Sequence, residues 1–194
     1  MRYHREGNNN VPAGGSFLVV ANHLSVSDPV IIGLSLNRRV TFLAKEELFK
    51  NPFSRYFVRS FGALPVYRGK SSRDTLHKAN LVLQNGGVLA MFPEGHRSHT
   101  GLLNSPQPGS ALIAYHNKVK IVPVGIYGTE VVRGHKWILR RPRVYIKIGE
   151  PFYLPYSSKS LPREQLARYS DTIMQHIAEL IPEKYRGPYT GDRN

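Results

Sequence analysis

The sequence predicts an α/β sandwich: a largely parallel, mixed central sheet with helices on both faces. Short apolar runs of the buried-strand type recur along the chain, and helical patterns separate several of them. Strand–helix alternation at this spacing is the signature of parallel strands joined by crossover helices. The length of 194 residues favours one domain over residues 1–194, long enough to bury a core without disulfides or metal.

The elements follow in order. Residues 1–15 are polar, with Asn8-Asn9-Asn10 and Gly14-Gly15, and read as a loose lead-in. Residues 16–21 (SFLVVA) form the first predicted strand. Asp28-Pro29 reads as a helix N-cap followed by Pro at the first helical position. Strands are predicted at 40–44, 63–66, 88–92, 121–126 and 144–148. Helices are predicted from near Pro52 and at 72–84, 109–117 and 164–181, where apolar residues recur on one face. The polar tail 182–194 is expected to fray or drape on the surface.

Composition narrows the function. Hydrophobic residues at 41% and charged residues at 21% are globular values. The 27 Lys plus Arg against 13 Asp plus Glu leave +14, which points to an anionic partner: nucleic acid, an acidic lipid surface or a phosphorylated substrate. The absence of cysteine removes disulfides, thiol nucleophiles and Cys-ligated zinc. No stretch approaches the ~18 apolar residues of a membrane-spanning helix, and the first residues lack the apolar centre of a signal peptide. The chain is therefore expected in solution or on a membrane surface.

Two motifs carry chemistry. In Asn22-His23-Leu24-Ser25-Val26-Ser27-Asp28, His23 follows a strand, where α/β proteins place ligands. A short loop lets the Asp28 carboxylate reach one imidazole nitrogen, fix the tautomer and leave the other as a base. The residues alone leave a second reading open, in which Asp28 only caps a helix. In Phe92-Pro93-Glu94-Gly95-His96-Arg97-Ser98, Gly95 allows close backbone approach and Arg97 offers a planar fork to a phosphate. Glu94 would bind a hydroxyl or brace Arg97. The plain alternative is a turn with a surface ion pair. Strands also lead into Lys45 and Arg68, and Pro123 interrupts another.

Three rivals compete. A basic nucleic-acid-binding α/β module without catalysis explains the charge but not the two acid-bearing motifs. A phosphate-cradling loop at Gly69-Lys70-Ser71 lacks its leading glycine, since position 64 is Leu. His96 and His99 suggest a metal, but their loop setting argues against a preformed site.

Taken together, the blocks around His23, Arg68, Glu94 and Pro123 resemble the glycerolipid acyltransferases of phospholipid biosynthesis, more narrowly the 1-acyl-glycerol-3-phosphate acyltransferases. His23 and Asp28 match the family's Asn-His-x4-Asp motif, and Arg68 matches the arginine ending its second motif. Phe92–Ser98 matches Phe-Pro-Glu-Gly-Thr-Arg-Ser except for His96, and Val122–Val124 matches the Val-Pro-Val strand. The resemblance spans roughly residues 11–150. It implies the family's sandwich fold, with His23 and Asp28 catalytic, and with Lys45, Arg68, Glu94, Gly95 and Arg97 binding substrate. It implies transfer of an acyl group from acyl-CoA or acyl carrier protein to the free hydroxyl of a lysophospholipid acceptor. It implies no need for a covalent acyl-enzyme, and no cofactor, metal or nucleic acid is expected. Backbone amides near Gly95 are the expected oxyanion donors. The family carries more apolar sequence before its first motif than the 22 residues that precede His23.

A peripheral position on the cytoplasmic, anionic face of the cell membrane is expected. Phe49, Phe53, Phe57 and Phe61 recur every four residues beside Tyr56, while Arg55 and Arg59 fall on another side, as in interfacial helices. A core-facing helix has the same period. Residues 131–149 carry Arg133, Lys136, Trp137, Arg140, Arg141, Arg143 and Lys147 without an acid. This stretch suits lipid headgroups, an acidic carrier protein or plain solvation.

Overall fold

A computed structural model describes residues 2–60, 62–66, 72–131, 142–157 and 161–191, with the side chains of Lys45, Phe53, Ser54, Phe57, Ser60 and Ser72 outside that description. The strands are β1 (Arg2–Glu6), β2 (Phe17–Ala21), β3 (Val40–Lys45), β4 (Leu64–Val66), β5 (Val88–Met91), β6 (Lys120–Tyr127) and β7 (Arg143–Ile148). The helices are α1 (Asp28–Ser35), α2 (Glu47–Lys50), α3 (Pro52–Ser60), α4 (Ser72–Gln84), α5 (Gly109–Asn117) and α6 (Arg163–Glu179). Among the described residues the strands form one seven-stranded sheet in the order β1-β7-β6-β2-β5-β3-β4. Only the β6–β7 pair is antiparallel. The expected mixed, largely parallel sheet is thus the observed one.

The centre of the sheet is dry on both faces. Every residue of β2 is buried, which is why it reads as an unbroken apolar run rather than an alternating one. Leu18 and Val20 face a cluster with Ala79 and Leu83 of α4, Ile113 of α5 and Ile173 and Ile177 of α6. Phe17, Val19 and Ala21 face Ile31 and Ile32 of α1 on the other side. Helices therefore cover both faces. α6 buries Tyr169, Ile173 and Ile177 at four-residue spacing, the stripe that predicts it. Left-handed Lys118 (φ 51°) ends α5.

At the ends, one expectation is corrected and one is resolved. The lead-in contains β1, which pairs in parallel with β7 from Arg2↔Arg143 to Glu6↔Lys147. Its sequence, RYHRE, has no apolar alternation because an edge strand is held by backbone bonds and tolerates charge. Of the two outcomes expected for the tail, its described residues 182–191 take the second and drape on the surface. Short 3-10 turns at Glu183–Tyr185 and Gly187–Tyr189 pack Tyr185 and Tyr189 against the core.

Register brings the two motifs together. β2 and β5 are parallel neighbours with Val20 opposite Met91. Their carboxyl ends therefore open at the same edge, and His23 and Glu94 each follow three residues beyond.

Candidate active site

The loop after β2 closes on a single buried carboxylate. Asp28 is 0% exposed, and its Oδ2 accepts three hydrogen bonds. The donors are His23 Nδ1 at 2.8 Å, the Leu24 amide at 2.7 Å and the Ser25 amide at 2.7 Å. Asp28 is the first residue of α1, and the residue before it, Ser27, makes no side-chain cap. The carboxylate reaches back into the loop rather than forward to the helix amides. Asp28 thus bonds His23 and the loop amides, and among the described residues its side chain makes no bond to the amides of α1. A carboxylate that receives two amide protons is an acceptor, so Nδ1–H donates to it, and in the neutral ring Nε2 carries the lone pair.

The ring of His23 stacks on Phe92, with centroids 3.9 Å apart and 15° between planes. Its side chain is 16% exposed, and Nε2 has no hydrogen bond among the described residues. The backbone is clamped too. The His23 amide donates to Glu94 Oε1 at 3.0 Å, and its carbonyl accepts from the Ser98 amide at 2.7 Å. One position earlier, the Asn22 side chain bonds both the carbonyl and the amide of Ile126, each at 2.8 Å. That ties the loop to β6.

Glu94 differs from its expected role. It is 1% exposed, and its second oxygen accepts the Asn104 amide at 2.9 Å and the Asn104 side-chain amide at 2.7 Å. With both oxygens taken by protein donors, it braces His23 and the 104 loop instead of a substrate hydroxyl or Arg97. Burial pushes its carboxyl up, and the bonds from His23 and Asn104 oppose that shift. Gly95 adopts φ +73°, and a Cβ there would meet Gln107 Cγ at 3.2 Å. Its amide donates to the Phe92 carbonyl at 3.0 Å, so this amide is not an oxyanion donor. The amides of His96 and Arg97 carry no such bond among the described residues.

Arg97 is exposed and has no ion pair among the described residues. Lys45 ends β3, beside β5, with its side chain outside the described set; Arg68 lies outside the described residues altogether. So do 132–141, which hold Arg133, Lys136, Trp137, Arg140 and Arg141. Lys147 pairs with Glu6 at 3.1 Å. Among the described residues no group of three or more His, Asp or Glu could hold a metal. Asn22 and Phe92 stand in the two motifs with no role assigned to them from sequence, and Asn104 lies outside both. Asn22 had a signal, since a buried-strand run ending in Asn before a functional His needs a use for that amide.

Among the described residues, a histidine bonded to a buried carboxylate and to no protein nucleophile, and an arginine in no ion pair on the adjacent turn, make up the candidate site. The chain belongs to the Acyltransferase family, whose model matches residues 2–127. It is 26% identical over 172 residues to the 1-acyl-sn-glycerol-3-phosphate acyltransferase of Bacillus subtilis, covering 88% of this chain and 84% of that one. It is 33% identical over 138 residues to the protein of that name from Streptococcus pneumoniae, covering 70% of this chain and 50% of the relative. It thus spans most of one relative and half of another. The crystal structure of the 1-acyl-sn-glycerophosphate acyltransferase PlsC from Thermotoga maritima superimposes with a TM-score of 0.70 at 31% identity, over 92% of this chain and 72% of that one.

Proposed function

We propose that this chain transfers a fatty acyl group from a thioester, acyl-CoA or acyl carrier protein, to the free hydroxyl of lysophosphatidic acid, giving phosphatidic acid. The observation that carries this is the 2.8 Å bond from His23 Nδ1 to buried Asp28, which leaves Nε2 as a base. Nε2 takes the proton of the acceptor hydroxyl as its oxygen attacks the thioester carbonyl carbon. Asp28 stabilises the imidazolium that forms. The tetrahedral intermediate collapses by breaking the C–S bond, and the proton on Nε2 passes to the departing sulfur. The free amides of His96 and Arg97 are the best-supported oxyanion donors. Arg97, with Lys45 and Arg68, holds the acceptor phosphate.

We place this activity at an anionic membrane surface, on the cytoplasmic side. Among the described residues no helix is long and apolar enough to cross a membrane, and the net charge is +14. α3 exposes Arg55, Arg59 and Tyr56, the last at 72%. With Pro52 they line an open recess of about 530 Å³. Basic residues near such a surface contribute about 1 kcal/mol each. A panel of acceptors, assayed with both donors on anionic vesicles, tests the reading. Lysophosphatidate is expected to be the preferred acceptor. Equal use of acceptors lacking a phosphate would refute the phosphate clamp, and no transfer with either donor would refute the activity.

A further inference from the structure

The segment after α6 lies directly on the loop that braces the catalytic histidine. Tyr185 offers its carbonyl to the Leu103 amide at 2.9 Å. Gly187, at φ +55°, lies so close to this loop that a Cβ would sit 3.0 Å from the Leu103 carbonyl oxygen and 3.3 Å from Leu102 Cβ. Only glycine suits both the left-handed backbone and that approach. The strap is itself anchored at three points. The Tyr185 hydroxyl donates to Glu130 Oε1 at 2.7 Å, Arg186 Nε donates to the Ile181 carbonyl at 3.1 Å, and the Tyr189 hydroxyl donates to Asp171 of α6 at 3.4 Å.

The residue after Leu103 is Asn104, whose backbone and side-chain amides both end on Glu94 Oε2. The other oxygen of Glu94 holds the His23 amide. A continuous path therefore runs from the strap through Leu103, Asn104 and Glu94 to His23. Residues 101–108 form no helix or strand, so a few such bonds fix their position; the Gln107 amide, donating to the Pro93 carbonyl at 2.8 Å, secures the far end. Burial and Asp171 push the Tyr189 hydroxyl up to about 12, with Glu94 as a further contributor, which agrees with the strap's closeness to the brace.

We infer that the strap, residues 183–190, is a positioning element of the acyl-transfer site, setting the place of His23 through Leu103, Asn104 and Glu94. This rests on the reading of His23 as the base. Placement errors of about an ångström far from the chemistry cost up to about 100-fold in rate, so a strap that fixes the brace acts on kcat. The inference places its effect on kcat and not on the acceptor KM.

The test is Gly187→Ala, assayed for kcat, acceptor KM and thermal melting, alone and combined with Glu94→Gln. The expected result is a ten- to hundredfold fall in kcat, about as large as misplacement allows, with KM within about twofold and a cooperative melt. In the Glu94→Gln background, Gly187→Ala should change kcat by less than about twofold, because both act along one path. Wild-type kcat in folded Gly187→Ala, or losses that multiply in the double variant, would overturn the inference. If Gly187→Ala does not fold, Tyr185→Phe removes only the Glu130 anchor; a several-fold fall in kcat at constant KM supports the strap, and wild-type kcat overturns it. His23→Ala in the same assay separates the two claims. Activity there removes the base and this inference with it. An inactive His23→Ala beside a fully active Gly187→Ala removes the strap alone.

Discussion

Replacing Asp28 with Asn removes one negative charge and leaves nearly every contact in place. Oδ2 accepts all three bonds that close the loop, whereas Oδ1 is buried without a partner among the described residues. An asparagine can seat its carbonyl oxygen at the Oδ2 position and its amide at the vacant one. His23 then keeps its tautomer, and the experiment isolates charge. At a separation of about 4 Å and an effective dielectric near 20, the carboxylate is worth roughly 4 kcal/mol to an imidazolium, or about three decades in rate. The buried, unpaired amide costs about 1–3 kcal/mol of stability, which a melt reads separately. Asp28→Ala instead strips the acceptor from two amides and the ring, at about 1–3 kcal/mol for each buried donor left unpaired. It should be the less stable variant and lose the loop as well as the charge. Released CoA thiol can be followed with a thiol-reactive dye without interference, because the chain contains no cysteine. Asp28→Asn with activity within threefold of wild type would refute the charge argument, and equal stability of Asn and Ala variants would refute the three-bond account of the loop.

His23→Ala should lower kcat by about 10²–10⁴ with an unchanged fold, read by turnover and circular dichroism. Arg97→Ala should raise acceptor KM about ten- to a hundredfold, as a lost charged hydrogen bond worth roughly 1.5–3 kcal/mol does, with an unaltered melting temperature because Arg97 is exposed and unpaired; a collapsed kcat at constant KM argues against the clamp. The native carboxyl of Glu94 titrates above its ordinary value, so between the two values the folded state binds more protons than the unfolded one. Stability attached to this group is present at low pH and falls as pH rises through the raised value. Relative to Glu94→Gln, the wild-type protein should therefore lose melting temperature as pH rises across that window, and a gain would contradict the assignment. Arg55→Glu with Arg59→Glu should weaken co-sedimentation with anionic vesicles while leaving turnover of soluble substrates within about twofold; unchanged binding would move the membrane face off α3.

How far the site was legible follows from the reach of each contact. His23 and Asp28 are five residues apart, and their bond is a property of one loop, so spacing alone exposes it. Glu94 and His23 are 71 apart, and Asn22 and Ile126 are 104 apart. Those bonds exist only because β5 and β6 flank β2 in register, which no local pattern states. Glu94 was visible as a carboxylate in a motif, but its direction was not, because burial is decided by the Asn104 loop that closes over it. β1 was missed for a related reason. An edge strand bonded through its backbone leaves no apolar period to read, and its partner β7 lies far along the chain.

The turn after β5 separates an anion from a cation within four residues, and the separation matters to recognition. If Glu94 paired with Arg97, an incoming phosphate would have to displace a carboxylate from the guanidinium. Three protein donors instead engage both oxygens of Glu94, and the left-handed backbone at Gly95 reverses the chain between the two charges. The acid is buried against His23 and Asn104, and the base is left in solvent without a partner among the described residues. Its charge then meets no competing carboxylate, and only water and salt screen it. The carboxylate that bonds the histidine amide is thus also kept from the arginine, so on the proposed reading one buried carboxylate serves both the proton-accepting and the phosphate-binding halves of the site.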